Sequence, residues 1–110
     1  MNNRDYRILI KLIEEIVLIA EMIKDYSLEQ FINDEKTKRA VSMTLINIGE
    51  LVKNLTEEFK ILNNTIPWKS IAGLRDVTAH KYHTLEMGDI WVTVTEDLII
   101  LEQKIRSLIE

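Results

Sequence analysis

The residues with the clearest chemical potential lie in one stretch, LRDVTAHKYH, at positions 74–83. It contains Arg75, Tyr82 and both histidines of the chain, His80 and His83. Arginine carries a permanent planar charge whose donors match a phosphate, and histidine, with an ordinary pKa of about 6.5, exchanges a proton near neutral pH. The stretch could therefore bind a phosphate and perform acid–base chemistry on it.

If this stretch is helical, its spacing decides which side chains meet. Asp76 and His80 lie four residues apart, so the carboxylate can accept a hydrogen bond from the imidazole and fix its tautomer. Arg75 and His80 lie five residues apart, about 140° around an ideal helix, and would not share a face. Two arrangements stay open: the last helical turn frays and swings the ring round, or a symmetry-related copy completes the site.

An arginine and a histidine are the minimal set for cleaving RNA without a metal. The ribose 2′-OH is an internal nucleophile, so the protein need only remove its proton, protonate the departing 5′ oxygen and neutralise charge on the phosphate. One copy of the chain offers one suitably placed histidine, His80. Two copies across a dimer would offer a base and an acid, flanked by two arginines.

The same residues also have structural interpretations. An arginine, aspartate or histidine near a helix end commonly forms a surface salt bridge or a cap. Tyr82 taken alone would be an interface or core residue, and His83 is expected to face solvent. The two histidines have no recognised ligand spacing with Asp76 or Glu86, so neither a metal site nor a cofactor is predicted.

The composition indicates an all-α fold in one domain, residues 1–110. A chain of 110 residues is long enough to bury its own core. Three glycines and one proline are too few for a sheet with many tight turns, whereas Leu, Ile, Glu and Lys suit helices. The absence of cysteine excludes disulfides and thiolate sites.

The charge pattern limits the expected partners and location. A net charge of −4 argues against a protein coated in positive potential for duplex DNA. Positions 60–83 carry four cationic side chains against one carboxylate, a local charge of +3 that could steer an anionic partner and leaves −7 for the rest. The N-terminal MNNRDYRILIKL lacks the long uncharged segment of a signal peptide or membrane span, so a cytoplasmic protein is expected.

Apolar residues recur every three or four positions in three long segments, which predicts an antiparallel helical bundle. Main helices are expected at about 4–25, 35–55, 67–81 and 87–109. Ser27 and Gln30 have capping-box spacing and should open a short helical turn, after which Asn33 or Asp34 would cap the second main helix. The apolar stripes are wide enough to suggest a dimer. The second stripe comprises Val41, Leu45, Ile48, Val52, Leu55 and Phe59.

Two features of the second main helix have structural interpretations. Asn47 and Gly49, inside its apolar stripe, are expected to permit a close helix approach. The charged run from Asp34 to Arg39 is interpreted as an ordinary helix start with a solvated face.

The chain resembles the HepT toxins of the HEPN superfamily. Their signature is Arg, four to six residues, then His, commonly followed by one residue and Tyr, which here is Arg75, DVTA, His80, Lys81 and Tyr82. The segment FINDEKTKRAVSMTLINIGELVKNL is similar to the family's second-helix region with its Ile-Gly-Glu. IPWKSIAGLRDVTAHKYH is similar to the Pro-Trp lead into the Arg-His helix, and a Trp-containing final helix follows. The similarity extends over nearly the whole chain.

This resemblance implies a HEPN-type bundle of four main helices that dimerises with its Arg-His motifs facing and acts as a metal-independent endoribonuclease. By carry-over, Arg75 and His80 would be catalytic and Asp76 would support them. Such toxins are paired with MntA, a nucleotidyltransferase antitoxin that transfers AMP from ATP to the motif tyrosine, here Tyr82. Each nucleotide would add bulk and negative charge that repel RNA. Lys81, in the variable position, could add phosphate affinity.

Two other functions stay open. The acidic overall charge is unusual for a protein that holds RNA by itself, and favours a non-catalytic helical module that engages a nucleotidyltransferase or a nucleotide. A plain dimerisation bundle would instead use Arg75, Asp76 and His80 as an interface salt-bridge network.

Overall fold

The computed structural model describes all 110 residues and contains helices joined by short connections. The prediction of an all-α bundle with four main helical regions and short helical turns is confirmed. The elements are α1 (Asn3–Met22), α2 (Leu28–Asn33), α3 (Glu35–Lys53), α4 (Glu57–Leu62), α5 (Trp68–Ala72), α6 (Leu74–His83), α7 (Met87–Val92), a π-helical segment (Thr93–Asp97) and α8 (Leu98–Ile109). None of these helices is both long and apolar enough to cross a lipid bilayer.

The core follows the predicted apolar stripes. α3 lies at the centre, with α1 packed along it and α5 and α6 also against it, while α8 packs on α1. Because each stripe presents about one apolar side chain per turn, the three long helices enclose a single buried cluster. Its members include Leu9, Leu12, Ile16, Ile19, Val41, Leu45, Ile48, Val52, Leu98, Leu101 and Ile105.

The predicted caps at the start of α2 and α3 are present. The Ser27 hydroxyl accepts from the backbone N–H of Gln30, and the Gln30 side chain accepts from the backbone N–H of Ser27. Asp34 caps α3 by accepting from the backbone N–H of Thr37 at 3.0 Å. α1 ends at Met22, three residues earlier than expected, and Asp25 then adopts a left-handed conformation with φ of 64°.

The predicted second main helix, 35–55, is confirmed as α3, but the apolar stripe continues beyond the end of α3 into a separate helix. α3 ends at Lys53, and Thr56 caps the separate helix α4 by accepting from the backbone N–H of Phe59. The buried carboxylate of Asp5 accepts from the N–H and the hydroxyl of Thr56, at 2.9 and 2.7 Å. These polar contacts accompany the end of the helical path after Lys53. Leu55, in the turn, and Phe59, in α4, are nevertheless both buried.

The predicted helix 67–81 is two helices, α5 and α6, separated at Gly73. Glycine is the poorest helix former after proline, so the helical path is easily interrupted there. Asp76 and His80 both lie in α6, which keeps their four-residue spacing. The predicted helix 87–109 is confirmed in its extent, although its centre widens into the π-helical segment.

Gly49 sets the contact between α3 and α6. A Cβ atom at this position would lie 2.8 Å from the backbone N of Arg75 and 3.0 Å from the carbonyl O of Ala72. Real Cβ atoms do not approach backbone atoms so closely, so only glycine fits without moving α6. The expected role of Gly49 in close helix approach is confirmed.

Gly49→Ala should therefore lower the free energy of unfolding by about 1–3 kcal/mol, because the added methyl group overpacks a backbone contact. Urea unfolding followed by circular dichroism measures the change. Gly88→Ala is the matched control, since a Cβ there would meet nothing within 4 Å, and alanine should stabilise that helix by up to about 1 kcal/mol. Equal stability of the two variants would contradict this account of Gly49.

Candidate active site

The ten-residue motif forms the whole of α6, and one face of that helix is open to solvent. Arg75, Asp76, His80 and His83 are exposed, whereas Thr78 is buried towards α3 and the core. α6 stays helical through His83, so the alternative in which its last turn frays is wrong. The angle of about 140° between Arg75 and His80 is therefore retained.

The side chain of Arg75, on α6, is held by a carboxylate on the neighbouring helix α3. Its Nη1 donates to the Oε1 of Glu50, the last residue of the Ile-Gly-Glu sequence on α3. This hydrogen bond, together with the negative charges of Glu50 and Asp76, raises the pKa of Arg75 above its usual value. The guanidinium and the carboxylate remain about half exposed, at 49% and 41% of their side-chain surface, so an anion can still reach the pair.

Asp76 does not make the predicted contact with His80. Its carboxylate lies 3.7 Å from Nε of Arg75, too long for a hydrogen bond, and 88% of its side chain is exposed. Asp76 therefore adds negative potential beside Arg75 and does not orient the imidazole.

The imidazole of His80 is exposed on α6. The hydrogen bonds of this residue are made by its backbone, whose carbonyl accepts from the hydroxyl of Thr84 at 3.1 Å, while its imidazole has no partner in the chain. Because Arg75 hydrogen-bonds to Glu50 on α3 and His80 lies about 140° away around α6, a single chain does not bring the two side chains together. His83 is exposed, as expected.

Tyr82 lies in a charged cluster at the other end of the α3–α6 contact. Its hydroxyl donates to Glu35, whose carboxylate also pairs with Lys38 at 3.0 Å and Arg39 at 3.1 Å. The guanidinium of Arg39 lies 5.3 Å from the centre of the Tyr82 ring, within cation–π range. The hydrogen bond from Tyr82 lowers the pKa of Glu35, and the same bond raises the pKa of Tyr82.

Lys81 is not available in the way the sequence suggests. Its Nζ donates to Asp89 at 2.6 Å and lies 3.7 Å from Glu86, so it ties α6 to the start of α7. The bond to Asp89 raises the pKa of Lys81. The predicted phosphate affinity of Lys81 is therefore opposed by two carboxylates that already neutralise it.

Three charged residues near the motif were not predicted as site residues. Glu50 lies 25 residues from Arg75, and no local spacing indicates their contact. Glu35 and Arg39 belong to the run interpreted as a solvated helix start, yet both contact Tyr82. The sequence did contain one indication of the Glu50 contact, namely that Glu50 follows Gly49. A glycine that allows a neighbouring helix to approach closely also brings the residue after the glycine close to that helix.

The site is an open surface on α3 and α6. A groove lined by residues of α5, α6, the π-helical segment and α8 includes none of the motif's charged or aromatic side chains. No group of three or more potential metal ligands is close enough together to hold a metal ion. The chemistry of this surface is thus that of an exposed guanidinium, an exposed imidazole and a tyrosine held by a carboxylate.

Comparisons with known proteins indicate one family. The profile of the family described as "Ribonuclease HepT-like" matches residues 12–108. A protein of Thermococcus cleftensis named "Probable ribonuclease HepT" is 37% identical over 107 residues, which cover 97% of this chain and 96% of that protein. A protein of Caldanaerobacter subterraneus subsp. tengcongensis named as a "Putative RNase" is 34% identical over 99 residues, covering 90% of this chain and 88% of that protein. No solved structure matches the chain.

The Tyr82–Glu35 contact predicts a measurable titration. In Glu35→Gln the phenol loses its anionic acceptor, so the pKa of Tyr82 should fall towards the ordinary tyrosine value. The change is measured by phenolate absorbance against pH, taking the difference between each protein and its Tyr82→Phe counterpart. An unchanged titration of Tyr82 in Glu35→Gln would contradict the contact.

Proposed function

Because the chain belongs to the HepT-like ribonuclease family, we propose that it is a metal-independent endoribonuclease and the toxin of a toxin–antitoxin pair. The observation that carries the proposal is the exposed face of α6, where Arg75 and the unpartnered imidazole of His80 are accessible on a helix fixed against α3. An exposed, always charged phosphate binder and an exposed proton carrier are the groups that RNA cleavage by the 2′-OH needs.

Arg75 and His80 do not meet within one chain, and a homodimer could bring an arginine and a histidine from different copies together. Two α6 helices facing each other across a two-fold axis would bring two guanidiniums and two imidazoles around one phosphodiester. The exposure of both residues in the single chain supports this arrangement, since neither side chain is buried in the core. The accessible Ile99 and Ile100 on α8 add to the apolar surface that a second copy could cover.

The proposed reaction needs no group beyond these side chains. One His80 takes the proton of the ribose 2′-OH, whose oxygen forms a bond to phosphorus while the bond from phosphorus to the 5′ oxygen breaks. His80 of the second copy gives a proton to that leaving oxygen. The Arg75 guanidiniums neutralise the charge that grows on the non-bridging oxygens. The products are a 2′,3′-cyclic phosphate and a 5′-hydroxyl end.

Tyr82 is the proposed target of a MntA-type nucleotidyltransferase antitoxin. Its oxygen would form a bond to the α-phosphorus of ATP as the bond to pyrophosphate breaks, and the phenolic proton would pass to Glu35, which already accepts it in a hydrogen bond. The attached AMP would place a phosphodiester beside Lys38 and Arg39 and extend a nucleotide over the motif. RNA would then be repelled from the site.

A non-catalytic binding module is the second candidate, and a specific observation favours it. The arginine and the lysine of the motif are both paired with carboxylates: Arg75 with Glu50, and Lys81 with Asp89. In a protein of net charge −4 this leaves little free positive potential to hold RNA. Tight binding of a nucleotidyltransferase without RNA cleavage under any condition would support this candidate.

The nuclease proposal is tested by incubating the purified protein with RNA in EDTA. Cleavage should persist in EDTA, and Arg75→Ala and His80→Ala should each lower its rate by at least about 100-fold. His83→Ala, on the same helix, and Arg106→Ala, an exposed arginine paired with Glu102, are the matched controls and should cleave at the wild-type rate.

Two results of this experiment would contradict the proposal. Cleavage that is unchanged in Arg75→Ala and His80→Ala would come from a contaminant. Products with 3′-hydroxyl ends would reject attack by the 2′-OH, whatever the effect of the substitutions.

The modification is tested by co-expression with a nucleotidyltransferase encoded beside this chain's gene, followed by mass spectrometry of the intact protein. The wild-type chain should gain one or more AMP units, and Tyr82→Phe should gain none. Tyr6→Phe is the control, because Tyr6 is exposed, at 46%, and lies on α1. AMP found on Tyr82→Phe would show that another residue is the acceptor.

A further inference from the structure

We propose that Glu50 is the positioning residue for Arg75, holding its guanidinium where the remaining N–H groups meet the scissile phosphate. The proposal rests on the nuclease function proposed above and adds a residue that the Arg-His signature does not contain. Glu50 would act through Arg75 and would not itself touch the RNA.

The first support is the way the backbone of Arg75 is fixed. A Cβ at Gly49 would come within 2.8 Å of the Arg75 backbone N and 3.3 Å of its Cβ, so α6 is pressed against α3 at this residue. Ile48, on the other side of Gly49, is fully buried and anchors this turn of α3 in the core. The bases of the Glu50 and Arg75 side chains are thus held in fixed relative positions.

The second support is the contact that this backbone geometry permits. The Arg75 side chain is long and rotatable, and only the carboxylate of Glu50 hydrogen-bonds to its guanidinium, through Nη1. Asp76 is 3.7 Å from Nε, which is too far to fix it. Without Glu50 the guanidinium would sample many rotamers over the exposed face of α6.

The third support is that Glu50 engages the guanidinium at one nitrogen. A guanidinium has five N–H donors in a planar fork, so binding through Nη1 leaves the donors of Nη2 for a phosphate. About half of the Arg75 side chain is exposed. A phosphate can therefore bind while the carboxylate stays in place.

An ion pair of this exposure has little value for stability, because solvent screens it and side-chain entropy opposes it. Its position is better explained by orientation of Arg75. The opposite possibility is that Glu50 competes with phosphate for the guanidinium. The two possibilities predict opposite changes in turnover when the carboxylate is removed.

The test compares Glu50→Ala and Glu50→Gln with the wild-type protein in steady-state cleavage of a short RNA. Glu50→Ala should lower kcat by about 10- to 100-fold with little change in KM, since a misplaced but still charged Arg75 binds RNA and fails to meet the transition state. Glu50→Gln should lie between it and the wild type, because its amide oxygen still accepts from Nη1. Glu102→Ala removes the comparable carboxylate of the Glu102–Arg106 pair and should leave kcat unchanged.

Two further measurements separate positioning from loss of structure. The thermal midpoints of Glu50→Ala and Glu102→Ala should agree, and Glu50→Ala should bind an RNA with a 2′-deoxy cleavage position at least as tightly as the wild-type protein does. Cleavage by Glu50→Ala at or above the wild-type rate would overturn the proposal and identify Glu50 as a competitor of phosphate. If the wild-type protein cleaves no RNA, the nuclease function is wrong and the proposal falls with it.

Discussion

The close contact between α3 and α6 at Gly49 is the constraint on which the rest of the surface depends. It fixes the start of α6 against the end of α3, where Glu50 reaches Arg75. Since the two helices run antiparallel, the end of α6 then lies beside the start of α3, where Glu35 reaches Tyr82. One backbone contact therefore determines the surroundings of both the proposed phosphate binder and the proposed modification site.

The fold was largely predictable, because its determinants are local. Apolar residues every three or four positions predict α1, α3 and the final helix, and the caps at Ser27 and Asp34 follow from their side chains. The break at Gly73 and the short helix α4 were not predicted. The stripe through Leu55 and Phe59 looks continuous in sequence, but Thr56 caps a new helix and is bound by Asp5, which lies 51 residues away.

The candidate site was predictable only in part, because some of its contacts join residues that are distant in the sequence. The motif and its family resemblance predict Arg75, His80 and Tyr82 as site residues, and helical geometry separates Arg75 from His80 on α6. Spacing alone does not indicate Glu50, because helix pairing and not sequence proximity brings it to Arg75. Spacing also favoured a hydrogen bond between Asp76 and His80, which is absent from the structure, where 88% of the Asp76 side chain is exposed.

In the proposed site, the scissile phosphodiester binds to Arg75 while Glu50 remains hydrogen-bonded to the same guanidinium. The imidazole of His80, from either copy, lies beside the phosphodiester. A crystal structure of the protein with an RNA whose cleavage site carries a 2′-deoxy sugar tests this directly. The account predicts the scissile phosphate within about 3 Å of the Arg75 guanidinium and of a His80 nitrogen, with Glu50 still on Nη1. RNA bound elsewhere on the protein, or an Arg75 drawn away from Glu50 by the phosphate, would contradict it.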